Sequence, residues 1–214
     1  QVKALIIIGE GRLFCGGADI QELAALRDCG AAESFARAGQ SLCQFIECGA
    51  KPTIAALNGR GAFGGGVELA LACHLRLIEE GAQMASPEIK LGLTVGWGGS
   101  QRLPRLVGQG RALELLLTGR PVVAAEALKI GLVNRVVADG AVLQEALAWA
   151  REIACLSAPA LAATLSAVRA GLYEGLQPGL DAELGFFSRL CQNQDWHEGT
   201  TAFLEKRKPN FCDR

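Results

Sequence analysis

The 214-residue sequence has two histidines, a net charge of only −1 and no apolar run long enough to span a membrane. Each shortage excludes a class of function. His74 and His197, with cysteines at 15, 29, 43, 48, 73, 155, 191 and 212 and no CxxC, offer no zinc-ligand spacing. The near-neutral charge, with no Lys/Arg block interleaved with aromatics, argues against a nucleic-acid partner. The longest early apolar run, Ala4 to Ile8, is strand-sized, so no membrane association is expected. There is no GxSxG elbow and no P-loop. Gln1 opens with no Met, charged leader or cleavage signal, which makes the cytoplasm the expected location.

What remains is a chain that is half hydrophobic and one-fifth charged, with 27 glycines. That length and composition suit one soluble domain, alone or with a helical appendage. The eight scattered cysteines read as reduced, small apolar residues, not as a disulfide framework.

Val2 to Ile8 reads as a strand buried on both faces, broken by Gly9, Gly11, Gly16 and Gly17. Helical patterns cover 18–26 and 31–47, the latter stopped by Lys51-Pro52. Thr53 to Leu57 is a second buried strand. A helix opens at Gly64 to Gly66 and runs to about His74, and Leu75 to Ile78 is a third strand. Strand, turn, helix and strand make a parallel crossover unit. Further helices are expected near Gln101 and over 111–118 and 124–130, with a strand from Leu132 to Val137. From about Ala141 the chain turns all-helical: one face runs through Val142, Ala146, Ala150 and Ile153, then come 158–171, 178–192 and 197–206. The expected organisation is an α/β core over 1–140 and a helical region over 141–214.

Two glycine-rich turns follow buried strands: FCGGADI (14–20) and GAFGGGVE (61–68). A helix start exposes N–H groups and partial positive charge, and glycines let a ligand oxygen approach closely. Two such turns aimed at one point would form an oxyanion hole; each alone could simply permit a tight turn. Glu68 stands in the first turn of an otherwise apolar helix. Glu88 follows Ser86-Pro87 at a helix start. Either acid could merely suit a helix dipole, or the two together could divide acid and base work around one water. Gly59, Gly61 and Gly64, with Glu79 twenty residues on, also satisfy a dinucleotide-binding pattern, so an oxidoreductase stays open here. Arg102 and Arg105 could hold phosphate or flank a surface helix, and Lys206 to Lys208 read as a solvated charge run.

FCGGADIQEL, KPTIAALNGRGAFGGGVELALAC, ASPEIKLGLTVGWGGSQRLPRLVG and FLEKRKPNF, in this order, resemble the crotonase superfamily, most of all its enoyl-CoA hydratases. The resemblance implies a spiral of ββα units followed by C-terminal helices that build the acyl pocket and trimerise, giving a homotrimer or a hexamer of paired trimers. It implies an acyl-CoA thioester substrate, with coenzyme A part of that substrate and no separate cofactor or metal. The N–H groups of Ala18 and Gly65 would hold the thioester oxygen, and Glu68 and Glu88 would grip the catalytic water. Gly17, Asp19, Ile20, Gly64, Trp97, Phe187, Phe203 and Lys206 would contact substrate, Trp97 shortening the acyl pocket. Keeping both acids favours hydration over the double-bond shift of related isomerases. A catalytically silent CoA-binding subunit is the reading from a different class. The family normally carries a further N-terminal stretch, with its first strands and part of its CoA-contacting loop; the sequence starts after it. On the resemblance, that stretch would contribute to CoA affinity.

Overall fold

A computed structural model describes residues 2–213. In chain order the elements are β1 (Leu5–Ile8), α1 (Ile20–Ala25), α2 (Cys29–Glu47), β2 (Thr53–Leu57), β3 (Gly61–Phe63), α3 (Gly65–Ala72), β4 (Leu75–Glu79) and β5 (Gln83–Ala85). A short 3₁₀ helix, Pro87–Leu91, precedes α4 (Gly99–Val107), α5 (Gln109–Thr118), β6 (Val122–Val123), α6 (Ala124–Lys129) and β7 (Arg135–Val137). The helices α7 (Val142–Ala154), α8 (Ala158–Glu174), α9 (Leu176–Leu190) and α10 (Gln194–Leu204) complete the described chain.

The residues form two compact units. The larger comprises Ile6–Glu47 and Thr53–Ala148; the smaller comprises the residues up to Leu5, Cys48–Pro52 and those from Trp149 onward. In the larger unit one sheet runs β1-β2-β4-β7 and a second runs β3-β5-β6. β2 pairs parallel with β4, as the crossover pattern predicts, and β4 pairs parallel with β7. β2 is buried at every position, in keeping with its apolar run. Its Ala55 and Leu57 share one core cluster with Val67, Leu71, Ile78, Met84 and Leu132.

The structure corrects several sequence expectations. The first strand covers only Leu5–Ile8, and Leu5 and Ile8 are exposed, so it is not buried on both faces. β3, β5 and β6 have only two or three residues each, too few to show a periodicity. The last strand spans Arg135–Val137, because Leu132 and Val133 close the turn after α6 on the carbonyl of Ala127. α10 starts earlier than its apolar pattern indicates, since the Asn193 side chain caps the Asp195 amide at 2.8 Å.

Two buried charges are structural. Arg76 donates from Nε to Leu132 O at 2.9 Å and from Nη1 to Cys73 O at 2.6 Å, placing a cation at the C-terminal end of α3. Burial lowers its pKa to about 10. Glu79 accepts from the Gly59 amide at 2.6 Å and the Gly140 amide at 3.0 Å. Both its oxygens are thus bound by the protein's own backbone, and the helix opens at Gly65, beyond the first two glycines of the pattern. The dinucleotide reading is therefore set aside. His74 is also engaged structurally: its Nδ1 accepts from the Thr53 amide at 3.0 Å, and burial lowers its pKa. All eight cysteines are free.

In the smaller unit α8 and α9 pack closely through Gly171 and Gly179; a Cβ at Gly179 would stand 2.6 Å from Gly171 Cα. Phe187 meets Trp196 edge-on, with ring centroids 5.1 Å apart. No single helix among the described residues is long and apolar enough to cross a membrane.

Candidate active site

The site begins where α3 begins. Gly64 caps the helix at φ 54°, ψ −127°, a conformation only glycine takes without strain, and its amide donates to Ala85 O at 2.9 Å. Every residue of α3 except Leu69 is buried, as expected of a helix that is apolar all round. The first turn leaves amides without helical acceptors.

The second glycine turn lies directly against this start. Cys15 O accepts from the Phe63 amide at 2.9 Å, and a Cβ on Gly66 would run into that same carbonyl. Gly17 has φ +90°, and a Cβ there would stand 2.8 Å from the Gly65 amide nitrogen. The two turns named from the sequence therefore meet at Gly17 and Gly65, with Ala18 next along the chain. Asp19 ends the first turn by capping α1, its Oδ1 accepting from the Gln21 amide at 2.7 Å, and Ile20 is exposed.

Glu68 is 2 % exposed. Its Oε1 accepts from the Trp97 and Gly99 amides, each at 2.7 Å. Burial raises its pKa, opposed by the amides of Gly99, Trp97 and Gly96 and by the Arg102 charge. Glu88 lies in the first turn of the 3₁₀ helix, and its Oε1 would be 3.4 Å from a Cβ on Gly64. Its Oε2 is buried and meets no hydrogen-bond donor. Burial raises its pKa as well, its own backbone opposes the shift, and the Glu68 charge adds to it. The structure thus brings together two acids twenty residues apart in sequence, one held by amides and one with an orphaned oxygen.

These shifts carry a stability consequence. Both acids bind protons more readily in the folded chain than unfolded. The stability this confers is fully present below the ordinary carboxylate range and is lost as pH rises through the raised values. Glu68→Gln keeps an oxygen for both amides and removes the buried anion. We expect its melting temperature, relative to the unsubstituted chain, to be higher at about pH 8 than at about pH 4, as thermal unfolding at the two pH values will show.

Trp97 fills the space beside Gly65. A Cβ at Gly65 would stand 2.5 Å from the indole Cζ3, and one at buried Gly39 of α2 would also strike the ring. Phe35 lies at a centroid distance of 6.0 Å. Arg102 is largely shielded, and its guanidinium pairs with Glu47 and bonds Trp97 O. Arg105 is exposed and turns back to Gln101 O. Phe187 and Phe203 are exposed residues of the smaller unit, Lys206 has φ 58°, and neighbouring Arg207 pairs with Glu198 and Glu205.

The family model described as Enoyl-CoA hydratase/isomerase matches residues 1–214. The chain belongs to the enoyl-CoA hydratase/isomerase family. Among relatives in this family, crotonyl-CoA hydratase of Syntrophomonas wolfei is 44 % identical over 221 residues, covering 100 % of this chain and 82 % of that protein. The short-chain-enoyl-CoA hydratase of Clostridium acetobutylicum is 37 % identical over 209 residues, covering 97 % of this chain and 79 % of its own length. The crystal structure of an enoyl-CoA hydratase from Bacillus anthracis superposes with TM-score 0.93 at 36 % identity, covering 99 % of this chain and 82 % of that one. The expected crotonase-like α/β fold with a helical C-terminal region is thereby shown.

The sequence singles out the two acids and the two glycine turns that the structure brings together. It does not show the amide cradle of Glu68 or the Arg102 brace. GWGGSQR places a glycine four residues before an arginine, but the positive φ of Gly98 that shapes the loop is set only in the folded chain.

Proposed function

We propose that this chain is an enoyl-CoA hydratase, a carbon–oxygen lyase that adds water reversibly across the 2,3 double bond of a 2-enoyl-CoA thioester. The observation that carries the reading is the pair of acids, buried Glu68 and half-buried Glu88, coupled by charge beside the junction of the two glycine turns.

The roles follow from the two environments. Close carboxyl groups do not ionise together readily, and unequal surroundings set which one gives up its proton first. Glu68 receives two amide bonds and the field of Arg102, all favouring its anion; Glu88 faces the charge of Glu68. Glu68 is therefore the base and Glu88 the acid. The thioester oxygen would sit between the amides of Ala18 and Gly65, which stabilise the charge it gains. Water attacks Cβ: one O–H bond breaks, the proton goes to Glu68, and the oxygen joins Cβ. Glu88 delivers a proton to Cα, completing the 3-hydroxyacyl thioester.

Gly64 leaves room for the substrate, and the turn of Gly17, Asp19 and Ile20 lies along it. Trp97 bounds the acyl end and favours short chains. Phe187, Phe203 and Lys206 belong to the acyl and CoA contacts of assembled copies. Large exposed apolar side chains, Leu176, Leu184, Phe203 and Leu204 among them, support a homotrimer or a pair of trimers.

The test is loss of the enoyl-thioester absorbance of crotonyl-CoA on mixing with the chain, followed by longer enoyl chains on Trp97→Ala. Hydration that prefers crotonyl-CoA, with the preference moving to longer chains in the variant, is the expected result. A double-bond shift without hydration would make the protein an isomerase. CoA binding without turnover would make it a silent subunit. An unchanged chain-length preference would remove the role given to Trp97.

A further inference from the structure

Arg102 stands on α4, and beyond the field it exerts on Glu68 it makes three hydrogen bonds that hold chain segments together. Its Nε and Nη2 donate to Glu47 Oε2 at 3.0 and 2.8 Å, at the last residue of α2. Its Nη1 donates to Trp97 O at 2.9 Å. One guanidinium therefore joins three pieces of chain: its own helix α4, the end of α2 and the loop before α4. The peptide units of that loop supply the amides of Trp97 and Gly99 to Glu68. Between them, Gly98 takes φ +109°, and a Cβ there would strike Arg102 Nη1, so a side chain at 98 would displace the guanidinium from the carbonyl.

We propose that Arg102 is the positioning residue of this site: it anchors the Trp97–Gly99 loop to α2 and so holds the two amides on the carboxylate of Glu68. The inference rests on Glu68 acting as the base. A planar, permanently charged fork suits the task, because it reaches a carboxylate and a carbonyl at once from fixed angles, which a lysine ammonium does not. The ion pair is largely shielded, with side-chain exposures of 11 % and 21 %, so it persists under salt better than a surface pair.

The charged and titratable groups around Glu68 come from each element packed on it, the Cys43 thiol staying neutral because burial pushes it up to about 11. Arg102 approaches from α4, Glu88 from the 3₁₀ helix and Cys43 from α2, with Glu47 of α2 paired to Arg102. Removing the Arg102 cation withdraws support for the Glu68 anion, so the acidic limb of the pH–rate profile moves to higher pH. Removing the Glu47 anion loosens the same loop but takes away a negative charge, so that limb does not move up. A purely structural brace would affect both variants alike.

The experiment measures crotonyl-CoA hydration against pH for the full chain and for Arg102→Met, Arg102→Lys and Glu47→Gln. It also follows Glu68 by carboxyl-carbon NMR titration in each. For Arg102→Met we expect kcat to fall about 10- to 100-fold, KM to change less, and the acidic limb and the Glu68 titration to move up together. Arg102→Lys returns the limb toward its original position while kcat recovers only in part, and Glu47→Gln lowers kcat without an upward move. Unchanged kcat and limb in Arg102→Met overturn the inference. Should that variant fail to fold, full kcat in both Arg102→Lys and Glu47→Gln does so. If the unsubstituted chain hydrates nothing, the proposed function fails, and an unmoved Glu68 titration in the Arg102 variants then decides against the positioning role separately.

Discussion

Glu68→Gln is expected to lower kcat for crotonyl-CoA hydration about 10²- to 10⁴-fold, with KM little changed. The glutamine oxygen can still accept from the Trp97 and Gly99 amides, so the loop and helix stay in place and the loss reports the missing base. Glu88→Gln should fall by a comparable factor, because its carboxyl is the proton source for Cα. Its orphaned Oε2 has no structural bond to lose, so the chain should fold as before. The two acids act on one event, and the double variant should be far less impaired than the product of the single losses. Steady-state rates from the decay of enoyl absorbance give all three values. Near-normal turnover in Glu68→Gln would remove Glu68 from the mechanism, and a double-bond shift surviving in it would point to an isomerase.

Gly65→Ala carries the second large effect, and it separates packing from chemistry. The added methyl would stand 2.5 Å from Cζ3 and 2.7 Å from Cε3 of Trp97. The ring has no easy retreat, since Gly39 of α2 presses on its other side. Overpacking of this kind costs about 1–3 kcal/mol of stability. The methyl also stands at the helix start whose amide is proposed to hold the thioester oxygen. Loss of one oxyanion donor lowers kcat about 10²- to 10³-fold. Adding Trp97→Ala to Gly65→Ala should relieve the clash and recover part of the melting temperature while leaving hydration low. Full recovery of hydration in the double variant would show that crowding by the indole, and not obstruction of the amide, caused the loss.

Much of this site was legible before any coordinates. FCGGADI and GAFGGGVE declare themselves because glycine runs after apolar strands are local patterns with a local physical cause. Glu68 stands out because a carboxylate in an apolar helix is costly unless something holds it. β2, α3 and β4 followed from runs of Val, Ile, Leu and Ala whose burial depends on near neighbours in the chain.

Glu79 shows where such patterns mislead. Its spacing from Gly59 suited a nucleotide, but its oxygens bind the amides of Gly59 and Gly140. Backbone amides leave no mark in a sequence, so nothing in the letters shows which acid they will hold. The same reason hides the cradle around Glu68, built by peptide units at Trp97 and Gly99.

By itself, then, the sequence determined the order of the central elements and marked out the two glycine turns and the two candidate acids. Tertiary structure alone decided that the turns meet at Gly17 and Gly65, that Glu68 lies close enough to Glu88 to raise its pKa, and that Arg102 reaches from α4 to Glu47 and Trp97. Helix starts and strand runs are set by interactions over a few residues, whereas these contacts exist only once distant segments have closed around a shared core.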